Sequence, residues 1–501
     1  MSCSMKVKVD PERVFGVRSP MLYGHFIEHF HRQIYGGVYD PSSPFADEEG
    51  LRTDVLDAMR KIKVPVLRWP GGCFVSSYHW EDGVGSERRP LFDKAWRVED
   101  PNTFGTDEYI RMCRKIGCEP YICTNAGTGT AEEMSNWVEY CNLENEGYYA
   151  KWRIRNGYEK PHKVKYWSIG NENYGFWEIG AKSAEEWGRL VKESAKMIKH
   201  VDPETELTAA ALTDLDWNIH LLRNCGEFLD WISIHEYWDM VPQINELADY
   251  EQCMAYTDRI DHSVQEVRGL LTAMRLEKKI KIAFDEWNLR SWHHPNVHTI
   301  RQGVHKDEYI TPRDKNDNNS QYTMADAVFT ACFLNAMNRN CDIVGMANFA
   351  PIVNTRGCIY THREGIVLRS TYHVFDLYVN YLGDTVVDCW QDETPVLQVS
   401  HKNGAAVETS ALDILATKWS DRAGMALAVV NKEPEKEHSF TLALPGNYTE
   451  AVLYSISGKT KDSYNDVGRT EVEIQKKKLG AFRNGMELTV KPHSVNILQL
   501  L

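Results

Sequence analysis

Residues 164–203, VKYWSIGNENYGFWEIGAKSAEEWGRLVKESAKMIKHVDP, hold one complete strand-to-helix unit. Val164–Gly170 is a short, mostly apolar run of strand length. Ser183-Ala184-Glu185-Glu186 has the form of a capping box, in which the Ser hydroxyl and the Glu carboxylate satisfy each other's backbone amides at a helix start. Trp187, Leu190, Val191 and Ile198 follow on one helical face, and Val201-Asp202-Pro203 stops the helix, because proline cannot continue it.

The same alternation extends in both directions. Strands are expected at Leu22–Ile27, Val64–Trp69, Pro120–Thr124, Val164–Gly170, Leu207–Leu212, Trp231–His235, Ile280–Asp285 and Ile343–Asn348. Helices lie between them. In Thr106–Gly117 the apolar residues Tyr109, Met112, Cys113 and Ile116 fall at helical spacing, and Met254–Leu276 reads as one long amphipathic stretch. Repeated strand–helix units mean parallel strands joined by crossovers. Eight of them predict an α/β chain with a (β/α)8 TIM barrel over residues 18–380. A doubly wound sheet is the alternative, but it usually carries a glycine-rich turn after its first strand, and Tyr23-Gly24-His25-Phe26 is not one.

Beyond residue 380 the texture changes. Pro395–Val399, Ser410–Ala416, Met425–Val430, Ser439–Leu444, Ala451–Ile456, Leu488–Val490 and Val495–Leu501 are short strand-like runs with no helix of length between them. They predict a C-terminal antiparallel β-sandwich over 381–501, joined by an N-terminal strand within residues 1–17. Glu433-Pro434-Glu435-Lys436-Glu437 and Lys476-Lys477-Lys478 read as short solvated runs.

Composition narrows the function. The 501 residues are 43% hydrophobic and 26% charged, which fits a globular chain and excludes disordered and fibrous classes. A formal net charge of −14 argues against nucleic acid as a partner. No apolar run is long enough for a membrane span, and the N-terminal MSCSMKVKVDPERVFG lacks a signal-peptide core. The twelve cysteines are scattered, many in apolar segments, and are expected to be buried reduced thiols of a cytoplasmic protein. Cys113, Cys118 and Cys123 lack the spacing of a zinc site. The 15 tryptophans offer flat faces suited to sugar rings, although a large core uses them too.

In such a barrel, chemistry sits at the C-terminal ends of strands. These ends read His25-Phe26-Ile27-Glu28-His29, Arg68-Trp69-Pro70-Gly71-Gly72-Cys73, Thr124-Asn125, Ser168-Ile169-Gly170-Asn171-Glu172-Asn173, His235-Glu236-Tyr237-Trp238 and Phe284-Asp285-Glu286-Trp287-Asn288. Glu172 and Glu286 stand out. Two carboxylates across one barrel mouth can divide acid and nucleophile duties in glycoside cleavage. A separation of about 5 Å predicts retention of configuration and a wider one inversion. His293, His294 and His298 are expected on a polar loop at the pocket rim rather than around a metal, and no metal or cofactor is called for.

The chain resembles glycoside hydrolase family 51, the α-L-arabinofuranosidases of clan A. The matching pieces are Tyr23–Glu28, Leu67–Gly72, Gly83-Val84-Gly85, Val138–Asn142, Ile169–Glu172 and Phe284–Asn288, with His235 and Tyr237 beside them. The resemblance implies an intracellular, exo-acting, retaining enzyme acting on arabinofuranosyl oligosaccharides and often assembled as a hexamer. It implies Glu172 as acid/base and Glu286 as nucleophile. Glu28, Arg68, Asn171 and Tyr237 would hold the furanose hydroxyls or the nucleophile, and His235 would support Glu172. A mutual buried salt bridge is the alternative for Arg68 and Glu28. Trp96 and Trp177 resemble aromatics near the family's pocket, with core packing as the alternative. Two departures are evident. Cys73 stands where the family typically has a sugar-contacting Asn, and Pro351 where it often has Gln. They leave β-D-galactofuranosidase or β-D-xylosidase activity as alternatives, with a non-catalytic carbohydrate-binding barrel behind them.

Overall fold

The computed structural model describes residues 5–241, 247–292, 317–400 and 406–501. All eight expected parallel strands are formed: Gly24–Phe26, Val66–Trp69, Glu119–Thr124, Tyr166–Ile169, Glu206–Ala209, Trp231–Val241, Lys281–Trp292 and Val344–Phe349. In that order they are barrel strands one to eight. Strands one to five are hydrogen-bonded in sequence, and strand one also pairs with eight, eight with seven and seven with six. A parallel bridge between Ala210 and Ser233 joins strand five to strand six and closes the ring.

Local chemistry explains the helices that wrap it. Ala184–Val201 starts with the expected capping box, the Glu186 carboxylate accepting from the Ser183 amide at 2.9 Å. Thr106–Ile116 stops at Gly117, whose φ of 87° is open to glycine and resisted by other residues. The single stretch expected over Met254–Leu276 is instead interrupted. It divides into the end of helix Tyr250–Ala255, a 3-10 turn Tyr256–Arg259 and helix Ile260–Ala273. The tighter turn shifts the phase of the buried face, burying Tyr256 and Thr257 together, which a single 3.6-residue period does not register.

Inside the barrel, residues stack in layers. Val66, Tyr121, Tyr166, Trp231, Ala283 and Met346 form an apolar floor. Two residues further along their strands stand Arg68, Ser233 and Asp285, because side chains alternate with period two. Strand six shows this best: Trp231 joins the floor, Ser233 donates to Asp285 Oδ1 at 2.5 Å, and His235 and Tyr237 reach the mouth.

Apart from the hairpin of Val396–Ser400 and Ala406–Ser410, the C-terminal strands form one nine-stranded sheet that includes the N-terminal Met5–Val17. Met5–Val17 pairs antiparallel with Thr385–Asp392 and parallel with His438–Ala443. Phe440 and Leu442 near one end of the strand order share an apolar cluster with Ala451 and Phe482 near the other, so the sheet curls over its own apolar face. The expected run Ser410–Ala416 is divided between two strands, Ala406–Ser410 in a separate hairpin and Leu412–Lys418 in the main sheet. Lys476–Lys478 lie in the edge strand Gln475–Arg483, where lysines deter pairing with another chain. Glu433 is buried rather than solvated, and its carbonyl accepts from the His493 amide.

Among the described residues eight cysteines are buried and Cys73, Cys341 and Cys389 are half-buried, all as free thiols. No helix among them is long and apolar enough to cross a membrane. Cys3, His293, His294 and His298 lie outside the described residues.

Candidate active site

Strand seven carries the decisive irregularity. Its pairing with strand six slips between Ala283 and Glu286, and its pairing with strand eight slips between Phe284 and Trp287. Such a bulge breaks the in–out alternation. Phe284 and Trp287 both pack against Phe333, at ring-centroid distances of 5.1 and 3.5 Å. Asp285 and Glu286 between them both turn into the barrel, where Arg68 meets each.

Arg68, on strand two, is 1% exposed. Its Nη1 donates to Glu286 Oε2 at 2.8 Å, its Nη2 donates to Asn171 Oδ1 at 2.8 Å, and its Nε lies 3.5 Å from Asp285 Oδ2. Burial alone would lower the guanidinium pKa, but Cys123, Asp285 and Glu286 outweigh it and the cation is held firmly. The alternative of a mutual Arg68–Glu28 salt bridge does not occur. Glu28 Oε1 instead accepts from the Phe74 amide and from Trp96 Nε1, each at 3.1 Å. Burial, and then the charge of Glu286, pushes the Glu28 carboxyl up to about 8. Gly71 makes room for it: at a φ of 148°, a Cβ there would lie 2.2 Å from Glu28 Cγ. Gly72 borders an opening where a Cβ would sit 3.5–3.6 Å from Glu28 Oε1, Glu286 Oε2 and Asn171 Nδ2. Asn171 Nδ2 is buried with no hydrogen-bond partner, a donor left over once its oxygen serves Arg68.

Glu172 sits past the end of strand four at a φ of 43°, a left-handed conformation rare for a residue with a side chain. Its Oε1 lies 3.0 Å from His235 Nδ1, and its Oε2 accepts from Trp177 Nε1 at 2.9 Å. His235 Nδ1 is also 3.6 Å from Glu286 Oε2, and its Nε2 is 3.3 Å from Asp285 Oδ1. Burial would lower the imidazole, but Glu286, Asp285 and Glu172 overrule it and push His235 up to about 10. Burial raises Glu172, yet His235 and then Trp177 hold its carboxyl below the usual range. The proton between these two side chains therefore favours the imidazole. One carboxylate oxygen each of Glu172 and Glu286 and a His235 nitrogen all lie within 4.8 Å of one another.

The expected site residues converge on this opening. Trp96 is buried at 8% exposure and bonded to Glu28, while Trp177 is 51% exposed and bonded to Glu172. Tyr237 donates to Glu286 Oε1 at 2.6 Å. Cys73 is half-buried, its thiol beside Glu172 and Glu178, with burial and then those carboxylates keeping it protonated.

Two residues escaped the sequence reading. Glu178 is buried, accepts from Ser76, and is pushed up to about 8 by burial and then by Glu172. Arg356 donates to the Tyr237 hydroxyl at 2.9 Å. Both follow strand ends by several residues, outside the segments that directly continue the strands. The signal that would have found Arg356 is a lone cation in the turn after strand eight.

Comparison with known proteins agrees with this geometry. Residues 58–255 match the model of the α-L-arabinofuranosidase 1 domain, and residues 285–494 that of the α-L-arabinofuranosidase C-terminal domain. α-L-Arabinofuranosidase C of Emericella nidulans is 32% identical over 499 residues, covering 95% of this chain and 94% of that protein. The chain belongs to glycoside hydrolase family 51, the α-L-arabinofuranosidases. A second relative, an intracellular exo-α-(1→5)-L-arabinofuranosidase of Halalkalibacterium halodurans, is 36% identical over 74% of each chain. The α-L-arabinofuranosidase of Thermotoga maritima, solved as an arabinose complex, superposes with a TM-score of 0.87 at 35% identity, covering 99% of this chain and 100% of that one. In this α-L-arabinofuranosidase the match to the C-terminal model begins at residue 285, so it takes in the bulge of strand seven as well as the curled sheet.

Two triplets of potential metal ligands occur among the described residues, Glu172–His235–Glu286 and Cys73–Glu172–Glu178. Internal bonds already account for their positions: Glu172 with His235, and Ser76 with Glu178.

Proposed function

We propose that this α-L-arabinofuranosidase removes terminal non-reducing α-L-arabinofuranosyl units from arabinose-containing oligosaccharides by double displacement, with residues 18–380 as the catalytic unit. The observation that carries the reading is the approach of one oxygen each of Glu172 and Glu286 to within 4.8 Å. Retaining enzymes set their carboxyl groups about 5 Å apart, whereas inverting enzymes leave about 6.5–9.5 Å for a water.

Glu286 is the nucleophile. Arg68 and Tyr237 each occupy one of its oxygens, which holds the carboxylate in one orientation towards the anomeric carbon. Glu172 is the acid/base. As the bond to the leaving oxygen breaks, the proton shared with His235 passes through Glu172 to that oxygen. A glycosyl–Glu286 ester forms. Glu172 then takes a proton from water, the water attacks the anomeric carbon, and Glu286 leaves as a carboxylate. The unpaired Asn171 amide supplies a donor to a sugar hydroxyl, a bond that strengthens as positive charge develops on the ring. Glu28, neutral below about pH 8, both donates and accepts. Trp96 fixes Glu28, Trp177 fixes Glu172, and Cys73 lines the wall. No step draws on a metal or cofactor.

The thiol of Cys73 and Pro351, whose tertiary amide has no N–H to donate, favour one second reading, the same machinery with a different glycone. A panel of aryl α-L-arabinofuranoside, β-D-galactofuranoside and β-D-xyloside, with product anomers followed by NMR, decides both matters. Preference for the arabinofuranoside with first-formed α product supports the proposal. Preference for another glycone replaces the substrate, and inversion removes the mechanism. The name of the Halalkalibacterium relative supports an intracellular setting. Sedimentation of the full chain reads the hexamer that the family resemblance implies.

A further inference from the structure

Arg356 lies in the turn after strand eight, is 8% exposed and sits in the wall behind the nucleophile. Its Nε donates to the Ala350 carbonyl at 2.8 Å, and Nη2 donates to the Tyr237 hydroxyl oxygen at 2.9 Å. Its guanidinium carbon stands 4.5 Å from the centre of the Tyr237 ring. Asn288 Nδ2, from strand seven, donates to the carbonyls of both Ala350 and Arg356, so the turn is tied to the strand that carries Glu286. Tyr237 in turn donates to Glu286 Oε1 at 2.6 Å.

We propose that Arg356 is a positioning residue for the nucleophile, fixing the Tyr237 phenol as a hydrogen-bond donor to Glu286 Oε1 through the Arg356–Tyr237–Glu286 chain. The inference rests on Glu286 being the nucleophile. A phenol can donate its one proton to any acceptor in reach, and its oxygen can accept. A guanidinium only donates, so an arginine on the phenol oxygen occupies the accepting side and leaves the O–H free for the carboxylate. The cation also polarises that O–H, and a hydrogen bond to an ionised acceptor gains from this. Glu286 is thus gripped at Oε2 by Arg68 directly and at Oε1 by Arg356 through a phenol. The direct grip holds charge. The relayed one leaves a neutral group against the carboxylate, so the oxygen is steadied without a second full ion pair on a group that must attack carbon.

The charged and titratable groups around Glu286 come from every wall of the pocket. Among the described residues they are Arg68 on strand two, Glu28 after strand one, Cys123 on strand three, Glu172 and Tyr174 after strand four, His235 and Tyr237 on strand six, Asp285 beside it, and Arg356. Arg68, Asp285 and His235 meet Glu286 or one another without the Tyr237 hydroxyl between them. The chain from Arg356 runs through it.

The test is a cycle of R356M, Y237F and the double variant, with R356K beside them, measured as kcat/KM against pH on an aryl arabinofuranoside. Expected for R356M is a fall of about ten-fold in kcat/KM, with the acidic limb of the profile moved upward by about half a unit. R356K restores most of the limb. In the Y237F background, R356M adds less than about two-fold, because the relay is already cut. An unmoved limb in R356M, or an undiminished effect of R356M in Y237F, overturns the proposal. Should R356M fail to fold by circular dichroism, the same cycle with R356Q decides it: a limb shift on R356Q in the wild-type background that is absent on going from Y237F to Y237F/R356Q supports the chain, and equal shifts in both backgrounds overturn it. Trapping with an activated 2-fluoro arabinofuranoside followed by peptide mass spectrometry separates the two levels. A label on a residue other than Glu286 overturns the nucleophile itself, whereas a label on Glu286 with an unmoved limb overturns only the role of Arg356.

Discussion

The ends of strands four and seven each present a glutamate to the same barrel mouth, and they present it differently. Glu286 stays within its strand, turned inward by a bulge, and is held by Arg68 and Tyr237. Glu172 lies past its strand at a positive φ, held by a titratable imidazole and by an indole that is half open to solvent. One carboxylate is locked by a permanent cation and a phenol, the other is coupled to a proton carrier. On the proposed mechanism, the difference teaches that two identical side chains become nucleophile and acid through what their neighbours can do with a proton. Arginine cannot release one, and histidine can.

The most severe way to test that contrast is to remove the locked partner. Glu286→Ala is expected to lower turnover of an aryl arabinofuranoside by about 10⁴-fold or more, since the other groups at the opening, Glu28 and the Cys73 thiol, are held protonated by burial, as steady-state assays at high enzyme concentration would show. Detectable turnover near the wild-type rate would end the assignment. Glu172→Ala should separate substrates instead. Arabino-oligosaccharides, whose leaving groups need protonation, lose about 10³-fold, while glycosylation by a dinitrophenyl furanoside loses about ten-fold or less. Equal losses on both would strip Glu172 of the acid role.

A subtler probe uses Glu28. Its carboxyl is raised to about 8, so it is neutral at pH 6 and ionises as pH rises through 8. Glu28→Gln keeps a neutral donor and acceptor and is expected to lose about five-fold in kcat/KM at pH 6. Wild-type kcat/KM should decline through pH 8 and the variant's should not. The sign for stability follows the same shift. A buried carboxyl with a raised pKa favours the folded state most below about pH 4, and that advantage fades as pH rises to 8. Melting curves of the two proteins should therefore converge below that range and part above it, with Glu28→Gln the less alkali-sensitive. The smallest effect is expected from Trp177→Phe, which removes the indole donor to Glu172 Oε2. About three-fold in kcat/KM on oligosaccharides, with little change on a dinitrophenyl furanoside, would place Trp177 on the acid side of the contrast.

Much of this is legible in the sequence. Eight apolar runs marked eight strands because parallel barrel strands are buried on both faces and cannot hide their composition. The capping box at Ser183 marked a helix start to the residue. Glu172 and Glu286 could be read because a carboxylate directly after an apolar run has few places to go. Other features were hidden for physical reasons. Thr385–Asp392 is buried at its first three residues and half-buried or exposed beyond them, so no in–out alternation marks it as a strand. Arg356 stands out in the sequence only as a lone cation in a turn, and which way its long side chain runs from there is set by the fold.

The order of elements, the burial of each strand and the chemical identity of the groups at the mouth are properties of the chain, since they follow from periodicity and side-chain type. The choice Arg68 makes between Glu28 and two other acids, and the reversal of Glu286 into the barrel beside Asp285, are not. They depend on a one-residue slip in two strand pairings and on distances between segments far apart along the chain. Those distances exist only once the ring of strands has closed.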